Sequence, residues 1–167
     1  YVEDPAVIRP LVDAAFGGFA ACSPVYRPLV AGMELADSLT VDAHKWLNVP
    51  YDSGLVFCRN PEYLRNALAT SAAYLVQSEL REPDAYTPEL SRRARGVEIW
   101  AALRALGRTG LADLIERNCH YATRFAEGLS AAGYRIWNAV VLNQVLVSFG
   151  DDATTRRVIQ QVQAEGT

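Results

Sequence analysis

The sequence predicts an α/β fold, and three observations carry that reading. A β-prone run, a helix candidate and a second β-prone run follow one another before residue 42. A third apolar run, Gly54-Leu55-Val56-Phe57-Cys58, comes soon after. Beyond residue 91 the apolar residues change to a spacing of three and four, the period of an amphipathic helix.

Taken in order, residues 7–12 are mostly apolar and β-branched, although Pro10 interrupts them. They read as a buried strand that ends in Asp13-Ala14-Ala15-Phe16-Gly17-Gly18, a small-residue loop where the backbone passes close to something. Residues 26–34 are a short helix candidate and 38–41 a second short strand. Strand, helix and strand in that order make a crossover unit with parallel strands and a right-handed connection. Asp13 and Lys45 then both lie at carboxyl ends of strands, the edge at which open α/β sheets bind ligands. Pro61 opens a short helix, since proline in the first turn sacrifices no hydrogen bond. Residues 70–90 hold no period, carry Pro83 and Pro88, and read as a long functional loop. A helix over 91–106 follows, with Val97, Trp100 and Ala101 on one face, and Gly107 and Gly110 break it. The next helix places Leu111, Leu114, Ile115, Cys119, Ala122, Ala126 and Leu129 on one stripe, and Gly133 ends it. Residues 134–137 and 140–149 read as strands. Asp151 or Asp152 caps a last helix that uses Val158, Ile159 and Val162.

Composition narrows the classes. Half of the 167 residues are apolar and 21% are charged, which fits a globular chain. A net charge of −3 supplies no basic field for nucleic acid or an anionic membrane. No apolar run approaches the ~20 residues a membrane span requires, and no secretory signal is visible. Cys22, Cys58 and Cys119 are odd in number and have no CxxC spacing, which argues for a reducing cytoplasm and against a disulfide framework or zinc site. Two histidines, His44 and His120, leave little material for a metal centre. The chain opens at Tyr1 and stops at Gly166-Thr167, where a helix would cap; both ends suggest a piece of something longer.

Among 16 cationic Lys and Arg side chains there is a single lysine, Lys45, in Asp42-Ala43-His44-Lys45-Trp46. Taken alone, a lone lysine is more simply a surface residue left by an arginine-rich composition. Its chemistry is nevertheless distinct: a desolvated ammonium can lose its proton and attack a carbonyl, whereas a guanidinium stays charged. A lysine at a strand end that forms a Schiff base needs a carbonyl partner, and pyridoxal phosphate is the commonest. That cofactor withdraws electrons only while its pyridine nitrogen is protonated, which calls for a buried carboxylate. Asp13, on the neighbouring strand end beside Ala14 and Ala15, is placed for this, and the small side chains would let a flat ring lie against the strand. His44 could hydrogen-bond a phosphate or a bound substrate. Desolvation in the cleft would favour the neutral form of Lys45.

The run from Asp37 to Asp52, with Asp42-Ala43-His44-Lys45-Trp46-Leu47-Asn48-Val49-Pro50-Tyr51-Asp52 at its centre, closely resembles the signature of the group II pyridoxal-phosphate-dependent amino-acid decarboxylases. This group includes aromatic amino-acid, histidine, glutamate and cysteine-sulfinate decarboxylases. The resemblance takes in Val12-Asp13-Ala14-Ala15-Phe16-Gly17, Ala73-Tyr74-Leu75, Leu90-Ser91-Arg92-Arg93-Ala94-Arg95 and Leu142-Asn143-Gln144-Val145, in order. It implies part of the fold type I transferase architecture, a mostly parallel sheet with flanking helices plus the start of a small α+β C-terminal domain. Residues 1–95 would be the C-terminal part of the large cofactor-binding domain, and 96–167 the linking helices and the beginning of the small one.

The resemblance also implies roles. Lys45 would carry pyridoxal 5′-phosphate as a Schiff base, Asp13 would pair with the pyridine nitrogen, Ala15 would pack on the ring, and His44 would sit beside it. Tyr74 matches a tyrosine on a mobile loop that closes over the neighbouring subunit's site and helps protonate the reacting carbon. Ser91 matches a position that in some members touches the substrate side chain. Arg92, Arg93 and Arg95 read instead as helix-start cations or structural ion pairs. The implied enzyme is a homodimeric carboxy-lyase that converts an L-amino acid to an amine and carbon dioxide. An aldehyde-forming or C–C lyase relative is one alternative, and a non-catalytic remnant or interaction subunit is another. Leu11 stands where the family usually has a histidine, residues 1–10 do not match, and the ring-stacking histidine and main phosphate loop belong upstream. Asp42 stands where some relatives carry an asparagine near the phosphate, so any contact from it should be indirect.

Overall fold

The computed structural model describes residues 11–68 and 82–166. Strand β1 (Leu11–Asp13) pairs in parallel with β2 (Ser38–Asp42), in the register Leu11↔Ser38, Val12↔Leu39 and Asp13↔Thr40. Strand β3 (Gly54–Cys58) runs antiparallel to β2, from Ser38↔Cys58 to Asp42↔Gly54, so the sheet order is β1-β2-β3. Helix α1 (Pro61–Leu68) follows, opened by the expected proline. Helix α2 (Arg95–Ala131), the two-residue strands β4 (Arg135–Ile136) and β5 (Val147–Ser148), and helix α3 (Asp152–Ala164) complete the chain.

The parallel pair expected from the strand order is present, but its connection is not an α-helix. Residues 26–34 form two 3₁₀ turns, Arg27–Val30 and Met33–Leu35, because Pro28 occupies the first turn and Gly32, at φ 100°, separates them. Before them, Gly17–Cys22 is also 3₁₀ and buries Gly18, Phe19 and Ala20. Gly18 is required by close approach: a Cβ there would meet Val41 Cγ2 at 2.8 Å and Ala14 Cβ at 3.1 Å. Leu11 is 63% exposed, so β1 is not the buried strand its composition suggested; residues 7–10 of that run lie outside the described residues.

The stripe expected on the second helical segment is the one α2 buries. Leu111, Ile115, Cys119, Ala122 and Ala126 are buried, with Ile115 and Cys119 almost wholly enclosed. Leu111, Ile115 and Cys119 join Ile99 and the sheet-side residues Ala14, Val41, Ala43, Trp46 and Leu47 in one core cluster. Ser23, fully buried after the first 3₁₀ turn, donates to Glu116 Oε1 at 2.7 Å and accepts the Val25 and Tyr26 amides, which ties the β1–β2 connection to α2. Gly107 interrupts α2 with φ 62° and ψ −173°, a conformation that glycine adopts without steric cost. Gly110 does not break it. The helix ends as expected at Gly133, where the Tyr134 amide bonds Leu129 O and the Gly133 amide bonds Ser130 O.

Element boundaries beyond residue 90 also differ from the sequence reading. The helix predicted from residue 91 starts at Arg95, because Ala94 sits at φ −77°, ψ 64° and Arg92 spends its guanidinium on the carbonyls of Glu89 and Leu90. Val97 and Trp100 of that helix are exposed, and Ile99 faces the core instead. The strand predicted over 140–149 pairs only at Val147–Ser148, because the Asn138 side chain takes the place of a ladder partner: its Oδ1 accepts the Leu146 amide at 2.7 Å and its Nδ2 donates to Gln144 O at 3.0 Å. Asp151 caps α3 through the Thr154 amide at 2.8 Å. No helix among the described residues is long and apolar enough to cross a membrane.

The start of α2 is clamped to the sheet by charge. Arg95 Nε donates to Asp52 O at 2.8 Å, its Nη2 lies 3.1 Å from Asp52 Oδ2, and Arg93 Nη2 lies 3.9 Å from Asp52 Oδ1. The Arg95 hydrogen bond first, then Asp52's own amide and the charges of Arg95 and Arg93, hold the Asp52 carboxyl below its usual 3.8. A depressed carboxylate contributes stability that is complete above its unfolded-state value and is lost as pH falls through the folded one. Asp52→Asn is therefore expected to flatten the fall in melting temperature below about pH 4, read from thermal melts of wild type and variant across pH 3–6; superimposable acid limbs would refute it. In the core, Ile115→Ala should cost about 2–5 kcal/mol and Ile115→Val about 0.5–1.5 kcal/mol, measured in the complete protein by denaturant unfolding.

Candidate active site

The site is built on the ends of β1 and β2. Ladder pairing continues past β1: the Ala14 amide bonds Thr40 O and the Asp42 amide bonds Ala15 O, both at 3.0 Å. This draws Asp13, Ala14 and Ala15 alongside Thr40 and Asp42. Beyond Asp42 the chain turns, with the Lys45 amide bonded to Asp42 O and the Asn48 amide to Lys45 O, each at 3.3 Å. Ala43, Trp46 and Leu47 are buried in the core, so the turn is anchored by its apolar residues and displays the two between them, His44 and Lys45. Trp46 stacks on Phe16 with centroids 5.8 Å apart; its buried indole N–H has no acceptor among the described residues, so packing fixes it there.

Ser53, fully buried, closes the turn from the other side. Its carbonyl accepts the Ala43 amide at 2.8 Å and the His44 amide at 3.2 Å, and its hydroxyl donates to Pro50 O at 3.0 Å. His44 Nδ1 lies 3.1 Å from the Ser53 amide and 2.9 Å from Ser53 O. The neutral ring with its proton on Nε2 accepts the amide; the protonated ring donates to the carbonyl. Tyr51 lies against the imidazole, with centroids 4.3 Å apart. Sequence reasoning assigned no role to Ser53 or Asp52. The available signal was a serine directly before an apolar strand, preceded by an acid, with a cluster of arginines downstream.

Lys45 Nζ lies 2.9 Å from Asp42 Oδ2, and His44 Nε2 lies 3.7 Å from the same oxygen. Asp13 accepts the Ala15 amide on Oδ1 at 3.0 Å, which fixes its carboxylate. The Asp42 hydrogen bond first, then the charges of Asp42, Asp13 and Tyr51, hold the Lys45 ammonium above its usual range. Lys45, Asp13, Ala15 and His44 are thus brought to one sheet edge. Two expectations need correction. Asp13 is exposed, not buried. Burial does not make Lys45 neutral here: its side chain is 40% exposed, and the carboxylate beside it outweighs desolvation. Ser91 is exposed in the bend before α2. Tyr74 lies outside the described residues.

The model of the pyridoxal-dependent decarboxylase conserved domain matches residues 10–149. The aromatic-L-amino-acid decarboxylase of Drosophila lebanonensis is 32% identical over 161 residues, covering 93% of this chain and 40% of that protein. Among solved structures, Oryza sativa TDC with PLP and tryptamine superposes with a TM-score of 0.83 at 22% identity, a likeness of fold, over 93% of this chain and 36% of that one. Rhodiola rosea 4-hydroxyphenylacetaldehyde synthase superposes with a TM-score of 0.77 at 27% identity, over 93% of this chain and 34% of that one. The chain therefore spans well under half the length of the relatives it matches, and its fold is part of the fold type I arrangement they share. A family model that covers most of the chain, and a signature turn that presents Lys45 beside Asp13, agree: this chain belongs to the pyridoxal-dependent decarboxylase family.

Proposed function

We propose that the complete protein is a carboxy-lyase that removes the α-carboxylate of an L-amino acid as carbon dioxide, leaving an amine, with pyridoxal 5′-phosphate held at Lys45. The observation that carries this reading is one amine and one carboxylate, Lys45 and Asp13, at the carboxyl ends of adjacent parallel strands, near enough that Asp13 acts on the Lys45 charge.

The donor set fits the cofactor. Lys45 is the one side chain here that condenses with an aldehyde. Asp13 has one oxygen satisfied by the Ala15 amide and so presents the other, already oriented, to a pyridine N–H. Ala15 offers only a methyl group at the strand edge, which leaves room for a ring. When bound, the cofactor supplies the conjugated, electron-withdrawing ring that takes up the electron pair of the scissile bond. The chain's own residues do the rest. Asp13 keeps the ring nitrogen protonated by charge. The Ser53 hub and Tyr51 hold His44 in one orientation beside the amine. Lys45 lies against Asp42, whose carboxylate favours the protonated form of the free amine. Tyr74 is assigned the delivery of a proton to the reacting carbon, and Ser91 the contact with the substrate side chain. Residues 1–95 are assigned to the large cofactor domain and 96–167 to the linking helices and the start of the small one. The working unit is a homodimer in a reducing cytoplasm, a setting supported by three free cysteines. The likeness to an aldehyde synthase supports a second outcome at the same site, an aldehyde with release of ammonia.

Borohydride reduction of the complete protein loaded with pyridoxal phosphate should leave the adduct on Lys45, mapped by peptide mass spectrometry; an adduct elsewhere would overturn the assignment. Lys45→Ala should abolish carbon dioxide release from aromatic and acidic L-amino acids alike. One amine per carbon dioxide identifies the carboxy-lyase, whereas aldehyde with ammonia identifies the second outcome. Tyr74→Phe should slow amine formation by about 10²–10⁴-fold, the range for a positioned acid.

A further inference from the structure

We propose that Asp42 is the counter-ion that sets the charge of the Lys45 amine, a duty separate from that of Asp13. The catalytic meaning of this pairing rests on the function proposed above; the pairing itself is a property of the turn. Asp42 is the last residue of β2, and both of its backbone groups are engaged: its amide bonds Ala15 O at 3.0 Å and its carbonyl accepts the Lys45 amide at 3.3 Å. The backbone is therefore fixed at the strand end, and from it the side chain places Oδ2 at 2.9 Å from Lys45 Nζ and 3.7 Å from His44 Nε2. One carboxylate oxygen thus faces two nitrogen groups. The Asp42 and Lys45 side chains are 28% and 40% exposed, so the pair meets solvent on one side.

Among the described residues the groups that act on Lys45 are Asp42, Asp13 and Tyr51, and of these Asp42 alone is hydrogen-bonded to the amine. Asp13 has a backbone amide to satisfy, that of Ala15. Division of labour follows from geometry: the carboxylate on β1 is oriented by its own loop and left for the ring, and the carboxylate on β2 is spent on the lysine. His44 faces the same oxygen through Nε2 at 3.7 Å, and Ser53 places its ring through Nδ1. A carboxylate so placed slows capture of an aldehyde, because only the neutral amine attacks, and favours every state in which the lysine nitrogen is cationic.

The test is competitive acylation of the complete, cofactor-free protein across pH 6–11, with the Lys45 peptide quantified by mass spectrometry. Only the neutral amine reacts, so labelling against pH is a titration of Lys45 itself. Asp42→Asn should move the midpoint to lower pH, with labelling at pH 8 rising about tenfold for each unit moved, and Asp13→Asn should move it less. Asp42→Ser supplies a second variant, and circular dichroism and thermal melts confirm that each is folded. An unmoved midpoint in both Asp42 variants, or a larger shift in Asp13→Asn, overturns the proposal. Borohydride trapping of pyridoxal phosphate, run in parallel on wild type, separates the two claims. A shifted titration with no wild-type adduct keeps the counter-ion and rejects the cofactor; an adduct on Lys45 with an unmoved titration does the reverse.

Discussion

Everything at the site depends on parallel pairing of two short strands that continues beyond the shorter one. β1 ends at Asp13, yet the amide of Ala14 and the carbonyl of Ala15 go on matching Thr40 and Asp42. Without those two bonds the loop after β1 would be free to leave the sheet, and Asp13 would have no fixed relation to Lys45. Parallel strands also leave both chain directions pointing to one edge, so the first residues past each strand meet in the same place. An antiparallel pair would have sent Asp13 to the opposite end. The third strand is antiparallel, and its use is different: it returns the chain through Asp52 and Ser53 to close the lysine turn from behind.

The turn shows how apolar burial can aim polar groups. Ala43, Trp46 and Leu47 are pulled into the core, and this alone determines that His44 and Lys45 point away from it. Ser53 then supplies what burial cannot, partners for the two amides that no strand satisfies. The clamp between Arg95 and Asp52 extends the same logic to the neighbouring helix. Asp52 adjoins Ser53, so the start of α2 is registered against the neighbour of the residue that holds the imidazole. A surface ion pair of this kind adds little stability alone; its contribution here is geometric.

How much of this could be read beforehand depended on the range of the forces involved. Periodicity located the buried stripe of α2 because Leu111, Ile115 and Cys119 record a local, repeated requirement. The adjacency of Asp13 and Lys45 was legible because strand order and crossover handedness leave few topologies. The 140–149 strand was misread, because a single side chain, Asn138, replaces a ladder partner and no propensity encodes that. The hub at Ser53 was missed for a related reason: its importance lies in backbone groups, which every residue type carries alike. The resemblance named the chemistry of Lys45, but the charge state of its amine had to be read from distances.

That charge state bears on why this position is a lysine. Desolvation and a nearby carboxylate push an amine in opposite directions, and a buried pocket lets the first prevail. Here Lys45 is part-exposed and Asp42 is within hydrogen-bond distance, so the carboxylate prevails. An arginine would make the same ion pair, and make it more strongly, but could never give up its proton to react. A lysine without Asp42 would lose the one carboxylate hydrogen-bonded to its amine among the described residues. The turn from Asp42 to Lys45 satisfies both demands: its backbone bond joins the Lys45 amide to the Asp42 carbonyl, and the two side chains meet at 2.9 Å.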